Sequence, residues 1–225
     1  MRPEEAAWIG DVLARLGPER ISPLLELGSS TLEFRTVEKP HIEALIHRPL
    51  RDRGVRVVHA DLKGGPGIDI SGDIYDPAVR EAVKAVGARS ILCCNILEHL
   101  ADREAFIRTC DEVLSPGGVL LLTVPRSYPL HLDPIDTYYR PTPEALAALL
   151  PDYALVETRV IRSGSHLSDL RERGSALREV LATFWRSLIL RGGPARTRAR
   201  LHRLAWLFRQ YLISAVVPRK PGPQP

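Results

Sequence analysis

A chain of 225 residues, 44% hydrophobic and 26% charged, has the size and balance of one globular domain with a single closed core. No stretch has the length of apolar residues that crosses a bilayer, and the acidic start Met1-Arg2-Pro3-Glu4-Glu5 leads into no signal-like apolar region, so secretion and membrane spanning are not expected. The net charge of +4 hides an asymmetry: residues 165–225 carry 12 Lys and Arg against 3 Asp and Glu, a net +9 that leaves −5 for the rest.

The first element is an amphipathic helix over Glu4–Leu16, with Ala7, Trp8, Val12, Leu13 and Leu16 at helical spacing and Gly17-Pro18 as its stop. Pro23–Gly28 reads as a short apolar strand closing on glycine, and Ser29, Ser30 and Thr31 form a polar turn or helix cap. Arg56–Leu62 is a second strand, and the alternation of Gly67–Asp73 suits a third. A helix with proline in its first turn follows over Pro77–Val86. Ser90–Ile96 is a continuous apolar run of the buried, parallel kind. Asp102–Leu114 supplies a helix, Ser115–Gly118 a tight turn, and Val119–Val124 a strand ended by Pro125. Thr142-Pro143-Glu144 opens another helix, and Tyr153–Ile161 reads as the last strand. This βαβ order predicts a mostly parallel sheet covered by helices.

Cys93 and Cys94 sit in an apolar run and Cys110 stands alone. Without any Cys-x-x-Cys or Cys/His ligand spacing, they read as reduced core thiols, and no metal is expected.

Four segments are expected at the carboxyl ends of successive strands, where open α/β sheets bind ligands. Glu26-Leu27-Gly28-Ser29 brings bare backbone and a carboxylate to the first strand exit. Asp61 closes the second strand with an acceptor for ribose hydroxyls. Asp73 offers an acceptor for an adenine amino group and Ile74 an apolar wall. Asn95–Leu100 turns from the fourth strand into the next helix.

The ordered set Leu-Glu-Leu-Gly, Ile-Ser-Gly-Asp-Ile, Leu-Glu-His-Leu and Val-Leu-Ser-Pro-Gly-Gly-Val-Leu-Leu-Leu-Thr-Val-Pro resembles the class I S-adenosylmethionine (SAM) dependent methyltransferases over roughly residues 20–162. The resemblance implies a three-layer Rossmann-like α/β sheet and SAM as cofactor. It places Glu26, Gly28 and Ser29 at the methionine end, Asp61 at the ribose, Asp73 and Ile74 at the adenine, and Asn95 near the sulfonium. Two features depart from the pattern. The glycine-rich loop is reduced to Gly28 followed by Ser29-Ser30. Asp61 lies 33 residues after Gly28, against roughly 20 in the usual spacing; Pro40 and Pro49 interrupt the stretch between.

The implied reaction is in-line methyl transfer to a small-molecule or glycan/lipid-precursor acceptor. Any general base is sought first in the loop 126–140, rich in His, Tyr, Asp and Arg, with His131 favoured and His99 second. A nicotinamide oxidoreductase and a non-catalytic scaffold are the rival readings; the absence of Gly-x-Gly-x-x-Gly weighs against the first and the reduced glycine content keeps the second open.

The expected organisation is a SAM-binding domain over 1–164 and a basic amphipathic helical extension over 165–225. In that extension, Phe184, Trp185, Leu188 and Ile189 mark one helix. After Gly192-Gly193-Pro194 a second places Leu201, Leu204, Ala205, Phe208 and Leu212 on one stripe flanked by arginines. Such helices fit packing on the main domain or across a homodimer, or docking on a membrane surface; nucleic acid is disfavoured for want of interleaved stacking aromatics. The expected location is cytoplasmic, with the inner membrane face as the place where the tail would dock.

Overall fold

The helical spacing at the N-terminus produces α1 (Pro3–Leu16), with proline in its first turn, Glu4 and Glu5 at the favourable end of its dipole and Gly17 at its close. The computed structural model describes residues 1–130, 135–172 and 206–222. A single turn, α2 (Pro18–Ile21), leads into β1 (Leu24–Leu27). The crossover to the next strand is not one regular helix. Two π-turns, Phe34–Glu38 and Glu43–His47, alternate with α3 (Pro40–Ile42) and α4 (Arg48–Asp52); Pro40 stands at the first position of α3, where a missing N–H costs nothing, and Pro49 follows just after the second π-turn.

β2 (Val57–Asp61) and β3 (Ile70–Ser71) follow, then α5 (Pro77–Lys84), capped by Asp76, whose side chain accepts from the Ala78 and Val79 amides. β4 (Ser90–Cys94) passes through a 3₁₀ turn, Leu97–His99, into α6 (Arg103–Val113), capped in the same way by Asp102. β5 (Val119–Ser127), α7 (Pro143–Ala147), β6 (Ala154–Ser165), α8 (His166–Glu172) and β7 (Gln210–Arg219) complete the described elements.

The seven strands form one sheet in the order β3-β2-β1-β4-β5-β7-β6. β1 to β5 are parallel, and β7 runs antiparallel to both β5 and β6. The order reverses between β1 and β4, which opens a crevice at the strands' carboxyl ends. Each face of the sheet has its own core. On one, Leu25, Val58, Ile91, Leu120 and Leu122 meet Val83, Phe106, Cys110 and Leu146 of the helices; on the other, Leu24, Leu92 and Leu121 meet Trp8, Ile9, Val12 and Leu13 of α1. The architecture is the expected three-layer, mostly parallel α/β sheet.

Three expectations are corrected. Pro125 does not end β5, which continues to Ser127 through a shift of register between Pro125 and Ser127; a bulge is where a strand tolerates a residue without an amide donor. β6 runs on to Ser165 and is not the last strand. The helical reading of the tail fails from Gln210 onward: Phe208 is 82% exposed beside the bends that precede β7, and Leu212 lies within that strand. β7 lies between two strands and so buries both faces, with Ile213, Ala215 and Val217 in the α1-side core and Val216 in the other. A β-branched run packed on both sides favours strand over helix. A division after Gly164 therefore separates β5 and β6 from the strand that joins them. The helices read over 182–190 and 201–205 lie outside the described residues.

Candidate functional site

Each of the seven residues nominated for cofactor binding, Glu26, Gly28, Ser29, Asp61, Asp73, Ile74 and Asn95, lines one cavity of about 640 Å³ at the carboxyl ends of β1 to β4. His99 lines it too. His131 lies outside the described residues. Residues not anticipated complete the wall, among them Phe34, Tyr75 and Phe106 as aromatic surface, Lys63 as a cation, and Met1 and Ile42, which reach the cavity from the N-terminus and the crossover.

The glycine turn is built by sheet registry. The amides of Gly28 and Ser29 both donate to the Ala60 carbonyl on β2, at 2.8 and 3.2 Å. Gly28 has φ +66°, and a Cβ there would come within 2.7 Å of the Ile96 Cδ1. The backbone conformation calls for glycine, and any side chain there would also have to displace the tip of Ile96. Asp61 accepts from the Ser30 amide at 2.8 Å through Oδ2 and from the Lys63 amide at 3.0 Å through Oδ1. It pins the loop after β1 while its remaining lone pairs stay available to a bound diol. Asp73 accepts the Tyr75 amide at 2.9 Å, a local turn that fixes the carboxylate beside Ile74.

Asn95 is a strained residue, with φ +55°. Its amide donates to the Thr123 carbonyl, and its side-chain amide donates to Glu5 Oε1 at 2.9 Å. Glu5 is buried, accepts the Thr123 hydroxyl at 2.5 Å through the same oxygen, and takes the Arg2 amide through Oε2. The N-terminal helix is therefore part of the site, because it supplies the carboxylate that orients Asn95. In sequence Glu5 looked like an ordinary first-turn acid on a helix; only the packing of α1 over β4 and β5 reveals the role.

Glu26 has two histidine partners that the sequence did not announce. Its Oε2 is held at 2.8 Å by His59 Nδ1 and lies 3.1 Å from His47 Nε2. Burial alone would raise this carboxyl, but the two histidines hold it down to about 2. Glu26 borders the cavity as a buried anion whose Oε2 is taken by both histidines. His47 and His59 come from separate segments, and no spacing rule links them to Glu26.

Glu98 and His99 sit where the fourth strand turns toward α6. The Glu98 carboxyl is fully enclosed and forms no hydrogen bond among the described residues. Burial pushes it up to about 7, the nearby Glu5 and Asp136 adding to the rise and Arg140 opposing it. The Glu98 carbonyl accepts both the amide and the hydroxyl of Thr137, and His99 Nδ1 lies 2.5 Å from the Ile135 carbonyl. The loop after β5 is thus fastened over the 3₁₀ turn at Ile135 and Thr137.

No protein-family model matches the chain. One curated relative, the ubiquinone biosynthesis O-methyltransferase of Caulobacter vibrioides, is 39% identical over 59 residues, 25% of this chain and 22% of that protein. A second bearing the same description, from Dinoroseobacter shibae, is 31% identical over 90 residues, 34% of this chain and 35% of its own. The chain thus spans at most about a third of the relatives it matches. Among solved structures, a Galdieria sulphuraria protein assigned as a sarcosine dimethylglycine methyltransferase superposes with a TM-score of 0.50 at 17% identity, covering 96% of this chain and 85% of that one. The MccD protein superposes with a TM-score of 0.52 at 13% identity, covering 98% and 100%. With its strand order and its reversal between β1 and β4, the chain has the mostly parallel, Rossmann-like α/β fold of these neighbours.

Proposed function

We propose that the chain binds SAM in the cavity at the ends of β1 to β4 and transfers its methyl group to a small-molecule or glycan/lipid-precursor acceptor. The observation that carries this is the convergence of the seven nominated residues, drawn from four separate strand exits, on one cavity of about 640 Å³. Its apolar walls and few polar groups suit a nucleoside-sized ligand. Asp61 takes the ribose hydroxyls, Asp73 and Ile74 the adenine, and the bare backbone at Gly28 the methionine portion. Asn95, held by Glu5, faces the region of the sulfonium. The two matched relatives are described as O-methyltransferases, which supports an oxygen acceptor.

SAM supplies an electrophilic methyl group; the protein's task is alignment and exclusion of water. The acceptor enters past His99, which lines the cavity. His99 is the base for an acidic acceptor hydroxyl, with His131 of the same loop as its rival for that role.

Calorimetric titration with SAM and S-adenosylhomocysteine tests the reading. The wild-type chain binds both; Asp73→Ala weakens binding by about tenfold or more, the worth of a charge-assisted hydrogen bond. Gly28→Val abolishes it, since the added side chain meets Ile96 and forces a positive φ on a β-branched residue. A wild-type chain that binds neither compound overturns the proposal.

A further inference from the structure

We propose that Glu26, His47 and His59 form a binding site for one divalent transition-metal ion of the zinc class. One donor atom from each residue lies within 4.8 Å of the other two. Glu26 and His59 are register partners on β1 and β2, so their side chains leave the same face of the parallel sheet side by side. His47 reaches them from above, as the last residue of the π-turn Glu43–His47. A π-turn adds a residue to the helical repeat and re-aims the side chains that follow, a device that recurs at functional sites.

The geometry is that of ligands converging on a point. His59 Nδ1 and His47 Nε2 lie 2.8 and 3.1 Å from the same oxygen, Glu26 Oε2, and the two rings meet edge to face at 79° with centroids 5.0 Å apart. A zinc ion bonded to three such donors holds them about 3.3 Å apart, given its usual bond lengths near 2.1 Å. The two contacts to Glu26 need to open by only a few tenths of an ångström, and rotation of the partly exposed His59 ring closes the third.

A simple hydrogen-bonded cluster accounts for less. His59 makes a hydrogen bond of good geometry to Glu26, whereas His47 Nε2, buried and 3.1 Å from the same oxygen, has none among the described residues. A buried ring nitrogen without a well-formed hydrogen bond is satisfied by an ion seated between the donors. Glu43 Oε2 lies 3.9 Å from His47 Nδ1 and is itself held by Arg51, while Asp69 Oδ2 accepts the His59 amide at 2.8 Å. The neighbouring Arg35 guanidinium is committed to the carbonyls of Ser30 and Gly67, each at 2.8 Å. Two imidazoles and one carboxylate select zinc, cobalt, nickel or iron over magnesium or calcium, which prefer all-oxygen sites. Bound there, the ion ties the irregular crossover to the sheet two residues before Gly28, and takes no part in methyl transfer.

The test uses the full chain, stripped with a chelator and titrated with Zn²⁺ and, separately, Co²⁺. Expected are one retained ion per chain, cobalt absorption bands typical of mixed nitrogen and oxygen ligation, and a higher melting temperature with zinc. His47→Phe and His59→Gln lower the affinity by more than about 100-fold, beyond what loss of an outer partner costs, whereas His166→Ala, remote in sequence and outside the cluster, leaves it unchanged. The wild-type cobalt spectrum reads the ligand set even if a variant fails to fold. No retained ion, or an affinity equal in wild type and His47→Phe, overturns the site. Titration of the stripped chain with SAM runs in parallel, so failure of the metal site and failure of the cofactor reading are told apart.

Discussion

Among the described residues the Glu98 carboxyl is enclosed without a hydrogen bond, and that has a measurable cost. Its affinity for the proton rises from the usual 4.5 to about 7 in the folded chain. Between those values the folded state keeps a proton that the unfolded state has released, so stability falls as pH rises from about 4.5 to 7 and is level above that. The difference is worth about 3 kcal/mol at most. Glu98→Gln, which cannot ionise, removes this slope: urea denaturation at pH 5 and pH 8 should show the variant gaining up to about 3 kcal/mol on wild type over that interval. An unchanged difference would mean the carboxyl is ionised and solvated in the native state. A second residue-scale expectation concerns Glu5. Glu5→Ala leaves the Asn95 side chain and the Thr123 hydroxyl without their shared acceptor, costing about 1–3 kcal/mol in stability, and frees Asn95 from its orientation, so SAM affinity falls with it.

At the scale of elements, β7 carries more than its place in the sequence suggests. It joins β5 to β6, and its side chains enter both cores. Ile213→Ala should cost about 2–5 kcal/mol by leaving a cavity between the sheet and α1, readable as a lowered urea midpoint with unchanged slope. Truncation after residue 205 should give a poorly folded chain rather than an intact 1–164 domain.

The same element shows where sequence reading stops. β1, β2, β4, α5 and α6 were legible because each is bounded by glycine, proline or a capping acid and has a clear period. β7 was missed because Leu201–Leu212 also satisfies a helical period, and only insertion between two strands decides the matter. The cavity residues were legible because strand exits announce themselves by glycine and acid after an apolar run. Glu5, His47 and His59 were not, since their roles exist only through tertiary contacts between segments far apart in the chain, Glu26 meeting His47 and His59 and Glu5 meeting Asn95.

For the whole molecule, the reversal between β1 and β4 puts the cavity on the half of the sheet opposite β6 and β7. Ligand binding should therefore act unevenly. At SAM concentrations about 100 times its dissociation constant, stability rises by about 2.7 kcal/mol. Hydrogen exchange should show local protection concentrated at the exits of β1, β2 and β4 and at the Phe34–Asp52 crossover, with little local change at β6. Protection confined to β6 and β7 would place the ligand elsewhere.

The antiparallel pairing of β6 with β7 also sets an order of assembly. β6 touches the sheet only through β7, and β7 follows it after a gap of 44 residues, Arg219 and Ala154 meeting at the far end of the ladder. During synthesis β6 emerges first with no neighbour to dock on, and β5 waits with an open edge. The two edges are shielded together only when residues 210–219 arrive, a distant closure that slows folding and leaves sticky backbone exposed meanwhile. Chaperone dependence should accordingly be greatest for nascent chains halted between residues 165 and 210.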